Sequence, residues 1–276
     1  MIRQAHAKIN LTLEVLGKRS DGYHEIRSVF RTLALHDTLH FAPAADVQVF
    51  CAVPELRTEQ NLAARAARLL QQASGYRGGA AISIEKAIPI AAGLGGGSSD
   101  GAAALLGLDA LWRTHLSAEE LARLAAALGS DVPFFLLGGT ARAEGRGETL
   151  HPLPALPDCP LLLVRPPIAV STAAIYRMVT PDAYTEGAIT ARFAAQPAAT
   201  PPQCWPLYNA LQAFTCRAYP VVAEVLAALP AWGASQALMC GSGPTCFGLF
   251  AGEEAAQAAA LRAGERGWES WVTHFR

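Results

Sequence analysis

The 276-residue chain has no CxxC pair, and none of its six cysteines joins a histidine at zinc-ligand spacing. That excludes a zinc site or dithiol redox motif written in the local sequence. The cysteines, at positions 51, 159, 204, 216, 240 and 246, are scattered through apolar or loop surroundings, and they read as reduced thiols of a cytoplasmic protein. Neither sign of charge is in excess. A formal net charge of -1 gives no bulk attraction to nucleic acid or an anionic membrane, so any anion site is local and the ligand is small. Long apolar runs are also missing: Gly, Pro or a charge interrupts each one well before the ~18 residues of a membrane span. The start, MIRQAHAKINLTLEV, lacks the apolar stretch of a signal peptide and reads as entering the fold directly. No internal repeat is visible. What the chain does have is 51% hydrophobic and 16% charged residues, enough to bury a full core, at a length that favours two domains.

Residues 5–16 alternate and are rich in aliphatic and β-branched types, which predicts a strand with Lys8 and Asn10 on one face. Ser20-Asp21-Gly22 is a turn signal, and 26–41 and 47–53 read as further extended stretches. Leu62, Ala66, Leu69 and Leu70 form one stripe of a helix over 61–73 that Gly75 stops. A strand over 81–85 follows, then a break at Pro89, a glycine-rich loop and a small-residue helix over 100–112. Ser117 with Glu120 is a capping box opening a helix over 118–128, which Gly129 ends. Pro152, Pro154, Pro157 and Pro160 crowd residues 151–160, and the composition changes on either side, so a domain boundary is expected there, dividing 1–152 from 153–276. Beyond it come a strand at 161–164, a helix opening near Ser171, a weakly structured stretch at 195–206, a helix around 219–229, the strand-turn CGSGPTCFGLF, an Ala-rich helix at 253–263 and a final strand. Alternating elements of this kind predict an α+β sandwich.

Chemistry is densest in Pro89-Ile90-Ala91-Ala92-Gly93-Leu94-Gly95-Gly96-Gly97-Ser98-Ser99-Asp100. It lies between a strand and a helix N-terminus, whose unpaired N–H groups and dipole attract anions. Glycine lets the backbone approach a phosphate closely, and serine hydroxyls add donors or a magnesium ligand. No lysine stands before a terminal hydroxyl as a Walker A loop requires, and GxGxxG does not fit because Ser98 falls where its third glycine would be. Gly241-Ser242-Gly243-Pro244-Thr245 is a second glycine turn, by itself a tight hairpin or βα turn. Asp131 stands between a helix stop and Val132-Pro133-Phe134-Phe135, in a place that also suits a turn or capping aspartate. Lys8, in an apolar strand, is either an inward lysine that needs a partner or an edge-strand lysine that blocks aggregation.

Four segments, AKINLTLEVLGKRSDGYHEIRSVF, PIAAGLGGGSSD, GSDVPFF and GSGPTCFG, together resemble the GHMP kinase superfamily of galactokinase, homoserine kinase, mevalonate kinase and phosphomevalonate kinase. In order and spacing they are similar to the members whose acceptor carries a cytidine diphosphate group. The resemblance implies an α+β, two-domain GHMP kinase fold, with a ribosomal protein S5 domain 2-like N-terminal domain, a ferredoxin-like C-terminal domain and the active site between them. It implies ATP as co-substrate and Mg2+, and a monomer or weak homodimer with no nucleic-acid or membrane partner. Lys8 and Asp131 become the catalytic lysine and general base. Pro89, Gly93, Leu94, Gly95, Gly96, Gly97, Ser98 and Ser99 become the ATP loop, with Asn61 and Lys86 near the adenine. Asn10 lines the acceptor site, Tyr23 and His24 meet the cytosine, Tyr176 stacks on its other face, and Thr172 lies near the diphosphate. Gly241, Ser242 and Gly243 belong to the substrate side. Without the motif, His24 would read as a surface turn histidine. The chain departs from the family pattern at Asp100, where a carboxylate near phosphates is expected to cap the helix. The glutamate that many members use for magnesium has no match here, which leaves the metal ligands open.

Overall fold

A computed structural model describes residues 1–276. The chain forms two compact units, each assembled from separated segments: Met1–Ala7, Leu35–Ile90 and Gly95–Gly138 in the first, and Lys8–Ala34, Ala91–Leu94 and Gly139–Arg276 in the second. Two long strands, β1 (Ile2–Lys18) and β2 (His24–Ala44), contribute residues to both.

In the first unit, β3 (Val47–Cys51) runs parallel to β4 (Gly79–Glu85), and β4 pairs antiparallel with β2 from Thr38↔Glu85 to Ala44↔Gly79. Helix α1 (Leu62–Ser74) buries Ala63, Ala66, Ala67 and Leu70, so Ala66 and Leu70 of the predicted stripe face the core fully while Leu62 and Leu69 flank it half-buried. It ends at Gly75, whose left-handed φ of 72° closes the last turn. Helix α2 (Gly96–Trp112) begins four residues before the expected start, because Gly96, Gly97, Ser98 and Ser99 form its first turn. Helix α3 (Ala118–Leu128) carries the capping box as read, with Ser117 Oγ accepting from the Glu120 amide and the Glu120 carboxylate from the Ser117 amide. Short α4 (Val132–Leu137) completes the unit. Its core joins Leu39, Phe41, Ile82 and Ile84 of the strands to Leu70, Leu105, Leu108 and Leu124 of the helices.

The second unit adds β5 (Thr140–Gly145) on β2 and β6 (Thr149–Pro152) on β5. Then follow β7 (Leu161–Arg165), α5 (Thr172–Met178), α6 (Ala188–Ala195) and β8 (Tyr208–Asn209), which pairs parallel with β1. After α7 (Gln212–Ala218) and α8 (Pro220–Ala231) come β9 (Gln236–Met239), β10 (Cys246–Leu249), α9 (Glu253–Glu265) and β11 (Glu269–Thr273). The last sheet is antiparallel in the order β11-β7-β10-β9. Counted in chain sequence that order is fourth, first, third, second, as expected for a ferredoxin-like sheet. Its four strands and the helices α8 and α9 share a core of Leu162, Val164, Val222, Val225, Leu229 and Ala259. The proline-rich stretch 151–160 lies inside this unit. No helix is long and apolar enough to cross a membrane.

Candidate active site

Along β1 the odd positions Leu11, Leu13 and Val15 are apolar and buried, and the even positions Lys8, Asn10, Thr12 and Glu14 are polar and equally buried. A buried polar row is costly unless its members satisfy one another, and these do. Lys8 Nζ donates to Asn10 Oδ1 at 3.0 Å and sits 4.2 Å from the Phe30 ring centroid. Asn10 Nδ2 donates to Ser28 Oγ at 2.8 Å, and the Ser28 hydroxyl donates to the Thr12 carbonyl at 2.5 Å. β8 covers β1 only at Thr12 and Leu13, but Lys8 is buried and its amide is bonded, so it is not a solvent-facing edge lysine.

The glycine loop reaches this row through the Lys8 amide, which donates to the Leu94 carbonyl at 2.9 Å. At Gly93, with φ of 78°, a Cβ would stand 2.5 Å from the Cys240 carbonyl oxygen and 3.2 Å from that of Gly243. Only glycine permits both that conformation and that approach. At Gly241 a Cβ would lie 3.3 Å from the Gly93 oxygen and 3.8 Å from Asn10 Oδ1. The two glycine motifs, far apart in sequence, thus pack on each other beside Asn10. Asn209 fastens the second turn, donating to the Met239 and Gly241 carbonyls at 2.8 and 2.7 Å. Thr215 donates to the Ser242 carbonyl at 3.2 Å, and the Thr172 and Ser242 hydroxyls share a 2.8 Å bond. Asn209 was invisible to sequence reasoning: it sits on a two-residue strand in a stretch without periodicity.

In the first unit Gly95, left-handed with φ of 72°, is the N-cap of α2, and the helix cannot bond the amides of its own first turn. Lys86 stands beside that turn, its Nζ 3.4 Å from where a Gly96 Cβ would be. The ammonium donates to Asp37 Oδ2 at 2.5 Å and Asp100 Oδ2 at 2.8 Å, while Asp37 Oδ1 accepts from the amides of Ala87 and Ile88 at 2.7 and 2.8 Å. Burial pushes the Asp100 acid up to about 7, with Lys86 opposing and Asp37 reinforcing the shift. For Lys86, burial alone would lower the pKa, but Asp100 and Asp37 raise it overall. This corrects the capping expectation for Asp100: it lies inside α2, is buried, and pairs with Lys86. Asn61 is the residue that caps a helix, its Oδ1 accepting from the Ala63 amide at 2.8 Å while Nδ2 donates to the Leu56 carbonyl at 2.8 Å. Asp131 occupies the N-cap position of α4 but makes no side-chain cap, which removes the capping alternative. It is half-buried, as are Pro89 and Ser98, whereas Gly97 is exposed and Ser99 buried.

A third cluster gathers the aromatic candidates of the second unit. The His24 ring lies 5.2 Å from Tyr176 at 31° and 6.5 Å from Tyr184 at 68°. Burial, aided by Lys18, lowers the His24 pKa. Tyr23 is exposed, with the Arg146 guanidinium 4.9 Å from its ring centroid. Sequence reasoning missed Tyr184 and Arg146, which carry no motif. Taken one by one, a glycine-lined helix N-terminus is a group of the kind that binds phosphates, a buried lysine one that stabilises an alkoxide, and an aromatic cluster one that holds a planar base.

Comparison with known proteins gives consistent results. Residues 61–139 match the family described as GHMP kinases N terminal domain, and residues 203–268 match GHMP kinases C terminal. The chain is 49% identical to a 4-diphosphocytidyl-2-C-methyl-D-erythritol kinase of Pelotomaculum thermopropionicum, over 94% of this chain and 92% of that protein. It is 45% identical to the protein of that name in Moorella thermoacetica, over 98% and 96%. A crystal structure of 4-(cytidine 5'-diphospho)-2C-methyl-D-erythritol kinase superposes with a TM-score of 0.83 at 40% identity, covering 100% of this chain and 99% of that one.

Proposed function

The chain belongs to the GHMP kinases, among the 4-diphosphocytidyl-2-C-methyl-D-erythritol kinases, and from that premise we propose how its residues carry the reaction and which hydroxyl they serve. It is an ATP-dependent kinase of isoprenoid precursor biosynthesis that phosphorylates the cytidylylated sugar alcohol; the acceptor is its 2-hydroxyl. The observation that carries the reading is the packing of the glycine loop on the second glycine turn with Asn10 beside both. The loop amides from Gly93 to Ser99 hold the ATP phosphates, and Asn61 and Lys86 lie toward the adenine. Lys86, already bound by two carboxylates, acts there as a fixed donor rather than a free counter-ion.

Asp131 accepts the proton of the acceptor hydroxyl. That oxygen forms its bond to the γ-phosphorus as the bond from the phosphorus to the β–γ bridging oxygen breaks, and ADP leaves. Lys8 stabilises the alkoxide that develops, and Asn10 lines the acceptor site. Two features support these roles. The Asp131 carboxylate is not spent on capping α4, and Lys8 is held in a dry, oriented environment where charge acts strongly. Phosphoryl transfer passes through a loose transition state, so positioning and charge neutralisation contribute more than the base. Mg2+ fits this donor set only as an ion carried on the nucleotide. No three His, Cys, Asp or Glu side chains are grouped to cage a metal, and Mg2+ bound to phosphates needs one or two protein oxygens, for which the half-buried Ser98 hydroxyl is available. When bound there it neutralises phosphate charge.

Tyr23, His24 and Tyr176 receive the cytosine, and Thr172 with Gly241, Ser242 and Gly243 the diphosphate side. A coupled ATP-consumption assay on the cytidyl-diphospho-methylerythritol, homoserine, mevalonate and galactose tests the assignment. Turnover is expected with the first alone, and turnover of any other acceptor would overturn it.

A further inference from the structure

The segment 180–206 carries no sequence signature, yet it is tied to β1 by bonds of unusual kind. Glu14 is fully buried, and its carboxylate accepts from the amides of Thr190 at 2.7 Å and Ile189 at 3.3 Å. These belong to the first turn of α6, which has Gly187 at its N-cap and no cap of its own. A strand residue thus caps a helix far away in sequence, and the helix N-terminus compensates a carboxylate that would otherwise be prohibitive to bury. The Thr12 and Thr190 hydroxyls bond at 2.8 Å, and the Thr185 amide donates to the Val15 carbonyl at 2.9 Å. Thr12 and Glu14 continue the buried row of Lys8 and Asn10. The residue that this anchorage holds next to the site is Tyr184, half-buried, with its ring edge-on to His24 at 6.5 Å.

We infer that Tyr184 is a specificity-determining residue of the acceptor-base site, and that Glu14 and Thr190 are the positioning residues that hold it there. The inference rests on the reading that His24 and Tyr176 take the pyrimidine. With Tyr176 tilted across the half-buried His24 at 5.2 Å and Tyr184 meeting it edge-on at 6.5 Å, two aromatic contacts favour one orientation of the imidazole, since edge-to-face contact is itself favourable. A neutral imidazole offers one donor and one acceptor. Cytosine presents an acceptor at its ring N3 and a donor at its exocyclic amine, and uracil presents the reverse at both positions. A ring held in one orientation and tautomer therefore discriminates between them, and a ring free to flip does not.

The test compares kcat and KM for the cytidylylated acceptor, its uridylylated analogue and ATP in Tyr184→Ala, Glu14→Gln and Thr190→Val, with Tyr176→Ala as reference and thermal unfolding measured for each. Loss of one aromatic contact predicts that Tyr184→Ala raises KM for the cytidylylated acceptor about tenfold. It also narrows the cytidine-over-uridine preference and leaves KM for ATP unchanged. The two anchor variants move the same two quantities by less; whichever of them folds serves, and a merely structural anchor would lower the melting temperature without moving either. The inference is overturned if Tyr184→Ala keeps wild-type KM and preference while Tyr176→Ala raises KM. If Tyr176→Ala has no effect either, the base-site reading fails, and the inference with it.

Discussion

At the scale of single residues, Asp131 is the group whose role is most sharply testable. Its carboxylate leads into α4 without capping it, and a positioned base contributes roughly 10²–10⁴ in rate. Asp131→Asn keeps the shape and removes the proton acceptor. It is expected to lower kcat toward the small end of that range, because charge and positioning carry most of the reaction, with KM for ATP unchanged; a wild-type kcat would return Asp131 to the rank of a turn residue. His24 makes a second prediction. Burial, with help from Lys18, lowers its pKa, so it protonates at lower pH than an ordinary imidazole. KM for the acceptor should therefore be flat through neutral pH and rise only in more acid solution, as protonation replaces the acceptor nitrogen with a donor. In His24→Gln the acid limb should vanish, and its survival there would assign the titration to another group. Lys8, Asn10 and the two glycine motifs were legible as segments of sequence because their meaning lies in motifs. Tyr184, Arg146, Asn209 and Glu14 were not, since each acts on a partner that only the folded chain supplies.

At the scale of elements, local rules worked where the signal was local. The helix of α1 and the capping box of α3 depend on residues three or four apart, and both formed where they were read, although the buried stripe of α1 runs through Ala63, Ala66, Ala67 and Leu70, leaving Leu62 and Leu69 at its margin. α6 and α7, of eight and seven residues, are too short for periodicity to register, and α6 takes its cap from Glu14 on β1. The start of α2 was misplaced because Gly96 and Gly97 weaken a helix by propensity, and tertiary contacts overrode that cost. The same helix shows why small residues line it. At Gly107 a Cβ would stand 2.6 Å from Cζ of Phe41, a buried ring on β2. Phe41 is packed by core neighbours and has little space to withdraw. Gly107→Ala should therefore destabilise the protein by about 1–3 kcal/mol despite the better helix propensity of alanine. A melting temperature equal to or above that of the wild type would mean that Phe41 yields without cost.

At the scale of the whole molecule, each compact unit is assembled from stretches that interleave along the chain. Composition favours a cut where prolines cluster, yet 151–160 lies within the second unit, because strands β1 and β2 carry chain from one unit to the other. A boundary read from composition finds changes along the sequence, and it cannot find a unit whose first strand comes over a hundred residues before its last helices. The consequence is a prediction about fragments. A polypeptide of residues 153–276 contains the four-stranded sheet and its helices, but it lacks the partner of β8, where Thr12 and Leu13 pair with Tyr208 and Asn209. It also lacks Leu13, Val15 and Ile26 of the second core and the carboxylate that caps α6. Deleting buried aliphatic side chains typically costs about 2–5 kcal/mol each, against a total stability of about 5–15 kcal/mol for a domain. The fragment is therefore expected to show no cooperative thermal transition by circular dichroism and poor amide dispersion by NMR. A fragment that melted cooperatively would show that the sheet and its helices fold without β1, and that Lys8–Ala34 is an addition to that core rather than part of it.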